Sequence, residues 1–161
     1  MTPTVVRRLV DWQDTDAAGH YHHSTVIRWV EAAEAELLNR AGLAWLTGRL
    51  PRVRYEVDYR QRLWFGDTAH LELVLSRLGT TSLRYDFELT RIPRPGRDRA
   101  PETASAAAGL VIAPFAPSPD HPAQPWPDDI AALLRAELVE QAQSPNPSPT
   151  AHPGLGENRK R

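Results

Sequence analysis

The stretch Ser24-Thr25-Val26-Ile27-Arg28-Trp29-Val30-Glu31-Ala32-Ala33-Glu34-Ala35-Glu36-Leu37-Leu38-Asn39-Arg40-Ala41-Gly42 decides the fold. Val26, Ile27, Val30, Ala33, Leu37, Leu38 and Ala41 recur in steps of three and four, which places one apolar stripe along an α-helix. Arg28, Glu31, Glu34, Glu36 and Arg40 fall mostly off that stripe. Ser24 or Thr25 can supply an N-cap oxygen, and Gly42 suits the left-handed position that ends a helix. A helix of about four turns with a single apolar face must bury that face against another layer.

The flanking sequence supplies a sheet for it. Val5 to Trp12, before the helix, is rich in β-branched and aromatic residues and reads as a strand. After the helix, Leu43 to Pro51 reads as a connection with a helical turn around Ala44-Trp45-Leu46. Val53, Tyr55, Val57 and Tyr59 then alternate with Arg52, Arg54, Glu56, Asp58 and Arg60, the period of an antiparallel strand with one wetted face. Leu71, Leu73 and Leu75 alternate with Glu72, Val74 and Ser76. Beyond the punctuation Gly79-Thr80-Thr81, Leu83, Tyr85, Phe87 and Leu89 alternate with Arg84, Asp86 and Glu88. Gly66-Asp67 marks a further turn, and Pro93 to Pro101 reads as an exposed hairpin loop.

Thr103 to Ala113 is a strand diluted by alanines, whose small side chains would let a helix or a second subunit approach. Asp128 to Gln143 is a second, short amphipathic helix, with Ile130, Leu133, Leu134 and Leu138 as its apolar face. The predicted order is strand, long helix, four antiparallel strands: an α+β fold with a five-stranded antiparallel sheet over one central helix. Such a sheet has open edges, for which dimerisation through an edge strand is a natural remedy. Most of the 15 prolines lie after residue 92. Residues 1–141 are expected to form the domain, and 142–161 a disordered Pro/Ser-rich tail.

Composition narrows the function. The 161 residues are 41% hydrophobic and 24% charged, with a formal net charge of -1, ordinary for a soluble protein and without an electrostatic footprint for nucleic acid. No cysteine is present, which removes disulfides, thiolate metal sites and a cysteine nucleophile. No stretch has the apolar length of a signal peptide or a membrane span, so a cytoplasmic protein is expected.

The chemistry concentrates just before the helix, in Gln13-Asp14-Thr15-Asp16-Ala17-Ala18-Gly19-His20-Tyr21-His22-His23. A carboxylate such as Asp16, set before a helix N-terminus, can act as general base or nucleophile while the helix N–H groups hold an oxyanion. Asp14 and Asp16 could equally make turn and capping hydrogen bonds. The histidines could hold a metal, but His22 and His23 are adjacent and hard to aim at one ion. The sequence contains no Gly-x-Ser-x-Gly elbow, Walker loop or dinucleotide fingerprint.

Asp14-Thr15-Asp16-Ala17-Ala18-Gly19-His20, followed by Trp29-Val30-Glu31-Ala32-Ala33, resembles the signature of the 4-hydroxybenzoyl-CoA thioesterase-like family, which includes the Tol-Pal-associated acyl-CoA thioesterases. Tyr55-Glu56-Val57-Asp58-Tyr59, Phe65-Gly66-Asp67, Leu71-Glu72-Leu73 and Gly79-Thr80-Thr81-Ser82-Leu83-Arg84-Tyr85-Asp86 are similar to later stretches of that family. The resemblance covers roughly residues 4 to 140. It implies a hotdog fold, a curved sheet wrapped around the helix, and hydrolysis of an acyl-CoA or acyl-carrier-protein thioester by a homodimer or homotetramer, with no metal or redox cofactor.

By position, Asp16 matches the family's catalytic carboxylate, and the backbone N–H near His23 the group that polarises the thioester oxygen. His23 itself matches an accessory histidine, and Glu31 a helix acid that orders structure. Gly19, His20, His22 and Ser24 are expected to meet substrate. Many members read Gly-His-Val-Asn-Asn where this chain reads Gly19-His20-Tyr21-His22-His23. Arg84, Arg91 and Arg94 are candidates for the phosphates of coenzyme A, because guanidinium forks suit phosphate oxygens. A non-catalytic acyl-thioester binding module and a hotdog hydratase or dehydratase are the alternatives.

Overall fold

In the computed structural model, residues 3–94, 96, 105–118 and 120–143 are described. Strand β1 (Thr4–Leu9) leads through a loop into helix α1 (Thr25–Arg40); β2 (Arg54–Tyr59), β3 (Thr68–Leu78), β4 (Ser82–Ile92), β5 (Ser105–Pro114) and helix α2 (Asp128–Gln143) follow. The strands form one antiparallel sheet in the order β1-β3-β4-β5-β2. This is the predicted five-stranded sheet over the α1 helix, and α2, read as the shorter of the two helices, has the same length of 16 residues. Most of the expected hairpin loop 93–101 and of the tail 142–161 lies outside the described residues.

The alternation read from the sequence builds the inner face. Register places Leu71 against Leu89, Leu73 against Phe87 and Leu75 against Tyr85, then Phe87 against Gly109 and Tyr85 against Val111. All but Gly109 are buried, together with Val26, Trp29, Val30, Ala33, Leu37 and Leu38 of α1. At about 25 cal/mol per Å² of apolar surface removed from water, this shared layer dominates the stability of the fold. Trp29 widens the expected α1 stripe because its ring stacks on Tyr21, 6.3 Å away, across the loop.

Two expectations are corrected, and β5 shows a close approach that the sequence did not signal. The first strand stops at Leu9, because Asp11 and Asp14 close a reciprocal capping box on a 3-10 turn at Trp12–Asp14, leaving Trp12 78% exposed. On α2, Leu133 is exposed while Ala131 joins Ile130 and Leu134 in the core. In β5 the close approach comes from strands: a Cβ on Gly109 would lie 2.0 Å from Glu56 O and 2.8 Å from Phe87 Cζ. Only glycine fits there, so β2 can pair intimately with β5.

That pairing, with two contacts to α1, sets the site. Glu34, buried in the middle of α1, forms an ion pair with Arg52, just before β2. Burial pushes the Glu34 carboxyl up, against the pull of the Arg52 charge and hydrogen bond. At the other end of the strand, the Tyr59 hydroxyl donates to His23 O at 2.8 Å. Strand β2 therefore runs along α1, and its last residues come to lie beside the helix start.

Candidate active site

The two acids of the Asp-x-Asp pair have different surroundings. Asp14 is buried: its Oδ1 accepts from Arg28 Nη2 at 2.9 Å and its Oδ2 from the Asp11 N–H at 3.0 Å. Its carbonyl oxygen accepts from the His22 N–H at 2.7 Å and the Thr25 hydroxyl at 3.1 Å. Asp14 thus clasps the loop to α1. Asp16 sits in a tight hairpin closed by the Thr15–Tyr21 bridge and turned by Gly19 at φ 78°. Its Oδ1 accepts from the Ala18 N–H at 2.8 Å, and Oδ2 stands 3.8 Å from His20 Nδ1. With about a third of its side chain exposed, Asp16 keeps oxygen lone pairs open to solvent.

Asp16, His20 and His23 line one open cleft of about 410 Å³ together with Tyr21, Tyr59, Arg60, Gln61 and Arg62. Two hydrogen bonds hold the far wall: Tyr21 N–H donates to Leu63 O at 2.8 Å, and the Tyr21 hydroxyl donates to Gln61 O at 3.1 Å. Burial, reinforced by nearby Tyr59, pushes the Tyr21 phenol up to about 12, so it stays neutral and donates. Burial also raises Tyr59. His20 packs edge-on against Trp64, with ring centres 5.7 Å apart.

Two other expected residues bond to each other at the start of α1 and are not among those lining the cleft. His22 Nδ1 accepts from the Ser24 hydroxyl at 2.7 Å and from the Ser24 N–H at 3.2 Å. Ser24 is the N-cap residue by position, but its side chain makes no cap bond of its own. The adjacent His23 N–H donates to no acceptor among the described residues. The start of α1 therefore keeps a backbone donor next to the cleft, as helix N-termini do.

The expected phosphate ligands are placed elsewhere. Arg84 donates from Nε and Nη2 to Asp86 Oδ1, at 2.9 and 2.6 Å, on the sheet face away from α1. Arg91 is buried and donates from Nε to Asp67 Oδ2 at 2.7 Å. Burial alone would raise the Asp67 carboxyl, but Arg91 and the Trp64 and Arg94 N–H groups hold it below its ordinary value. Arg94 packs its side chain over Gly66. None of the three lines the cleft.

Sequence reading missed Tyr59, Arg60, Gln61 and Arg62 as cleft residues. The first two belonged to a recognised alternation, and nothing local marked their proximity to His23. Chemically, the cleft brings together a carboxylate, imidazoles and two arginine side chains, with a backbone N–H beside them. Among the described residues no group of three or more His, Asp or Glu side chains is arranged to hold a metal ion. No described helix is long and apolar enough to cross a membrane.

Comparison with known proteins bears on this geometry. A 1,4-dihydroxy-2-naphthoyl-CoA hydrolase of Prochlorococcus marinus (strain NATL2A) is 32% identical over 98 residues, 52% of this chain and 63% of that protein. One from Parasynechococcus marenigrum (strain WH8102) is 30% identical over 99 residues, covering 52% and 65%. The chain thus spans less than two thirds of the length of these relatives. A thioesterase of Thermus thermophilus, solved with coenzyme A and Zn, superposes with a TM-score of 0.70 at 26% identity, over 84% of this chain and 93% of that one. The antiparallel sheet and central helix are the hotdog fold that such neighbours share. Residues 10–134, well over half of the chain, match the model of the thioesterase-like superfamily, and the chain belongs to that family.

Proposed function

We propose that this protein hydrolyses an acyl-CoA or acyl-carrier-protein thioester to a free acid and a thiol, with Asp16 as its catalytic carboxylate. The observation that carries this reading is the contrast within the loop: Asp14 is engaged by Arg28, while Asp16 lies open in a cleft. In the proposed reaction Asp16 activates a water, or attacks directly, at the thioester carbonyl carbon. The carbonyl oxygen becomes an oxyanion, held by the unclaimed N–H at His23 and the positive end of α1. When the tetrahedral intermediate collapses, the C–S bond breaks and the sulfur leaves as thiolate, taking up a proton; in the direct-attack route a water then cleaves the acyl–Asp16 anhydride to release the acid and restore the carboxylate. His23, exposed at the cleft, is placed to assist that proton transfer, and His20 and Gly19 shape the loop beneath.

The rings of Tyr21 and Tyr59, 6.3 Å apart in the cleft wall, make an aromatic acyl group the first to test, as do the named substrates of the relatives. The open edge of β2, where Tyr59 is 46% exposed, supports a homo-oligomer built on that strand. Thiol release should be measured for wild type, Asp16→Asn and Asp16→Ala on aliphatic and aromatic acyl-CoA panels. Loss of the carboxylate is expected to lower kcat about 10²–10⁴-fold. Full activity of Asp16→Ala on the best substrate would overturn the assignment. Tight acyl-CoA binding without turnover across the panel would instead favour a binding module, and an enoyl product a hydratase.

A further inference from the structure

Of the arginines expected to meet phosphate, Arg84 and Arg91 are already engaged by carboxylates, whereas two others, Arg60 and Arg62, line the cleft and make no ion pair among the described residues. Arg60 donates from Nη1 to the Ser105 hydroxyl at 3.0 Å, a neutral partner that fixes the side chain, and makes no ion pair among the described residues. Arg62 is exposed and makes no hydrogen bond or ion pair among the described residues. Both follow β2 directly, and the backbone beneath them is held: the Arg60 and Gln61 N–H groups donate to Ala106 O at 2.8 and 3.0 Å. Two guanidinium groups thus share a cleft with a single acid, Asp16.

We propose that Arg62, assisted by Arg60, binds a phosphate of the thiol half of the substrate and so sets its polarity in the cleft. The inference rests on the thioester reading above. An anionic group is repelled by Asp16 and attracted by the guanidinium groups. The phosphate-bearing arm is therefore directed toward Arg62, and the thioester toward Asp16. Guanidinium is suited to the task because its planar fork matches phosphate oxygens and remains charged at every working pH.

Calorimetric binding of coenzyme A, 4′-phosphopantetheine and pantetheine tests this without requiring turnover. Wild type should bind the two phosphorylated compounds more tightly than pantetheine. Arg62→Ala should narrow that preference about tenfold, equivalent to about 1.4 kcal/mol, Arg62→Glu should remove it, and Arg62→Lys should retain part. A preference narrowed equally for 4′-phosphopantetheine locates the contact at the phosphate that carrier-protein substrates share. An effect confined to coenzyme A assigns it to the nucleotide phosphates. An unchanged preference in Arg62→Ala, or equal weakening for pantetheine, would overturn the proposal. Hydrolysis of the corresponding thioesters, run in parallel, tests the thioesterase reading separately: inactive wild type that still shows the Arg62-dependent preference refutes the latter alone.

Discussion

Two regions of this molecule use the same pairing of aspartate and arginine to opposite ends. At the loop base and at the β3 entrance, Asp14–Arg28 and Asp67–Arg91 are joined at 2.9 and 2.7 Å, with each carboxylate removed from water. In the cleft, Asp16 and the pair Arg60 and Arg62 lie along one surface and are not paired with each other. A carboxylate or guanidinium can fasten a structure or act on a ligand. The first role saturates its hydrogen bonds, and the second requires them open. Asp67 shows the saturated extreme, accepting from Arg91 Nε, the Trp64 N–H and the Arg94 N–H with no exposed surface.

The contrast is broken most strongly at Asp16. Asp16→Asn should cut thioester hydrolysis about 10²–10⁴-fold while the thermal midpoint stays near wild type, since exposed positions usually shift stability by no more than about 0.5 kcal/mol. Asp67→Asn or Arg91→Met should behave inversely. Removing one partner of a buried pair costs about 3–5 kcal/mol, readable as a lower urea midpoint. The same pair predicts an acid response. Because the folded Asp67 carboxyl lies below its ordinary value of 3.8, its stabilisation is fully present above that pH and is lost as pH falls through the folded value. The difference in stability between wild type and Asp67→Asn should therefore shrink in acid, and a pH-independent difference would contradict the stated cause.

Gly109 probes the connection between framework and cleft. Gly109→Ala forces a methyl against the Glu56 carbonyl and Phe87, and overpacking of this kind costs about 1–3 kcal/mol. Because the strain falls on β2, substrate affinity should fall with stability, whereas Asp67→Asn should affect stability with less change in KM. The preference for phosphorylated ligands at Arg62 is the next smaller effect, about tenfold. Smallest is Arg28→Ala. Its side chain is half exposed, so its pair with Asp14 should contribute about 1 kcal/mol or less by denaturation, and less at high salt.

Much of this was legible in the sequence, for a local reason. Helix and strand periods repeat every few residues, so α1, the alternating faces of β2, β3 and β4, the turn at Gly79-Thr80-Thr81 and the reactive loop all carry their signal within a short window. The end of the first strand was misread because the Asp11–Asp14 capping box competes with strand propensity over just four residues. The engagement of Arg91 was not legible for the opposite reason: its partner Asp67 is 24 residues away in sequence.

The sequence by itself determined the elements, the inner and outer faces of the strands and the loop that carries Asp16, because side-chain order along one segment suffices for each. Tertiary structure decided which of the two acids remains open, which arginines are paired with carboxylates and what forms the far wall of the cleft. The last of these depends on β2 leaving its sequence neighbour β3 to pair with β5 at the sheet edge, where Gly109 admits it and Tyr59 meets the start of α1. A non-local pairing of that kind is chosen by the packing of the whole chain, and no short window of sequence contains it.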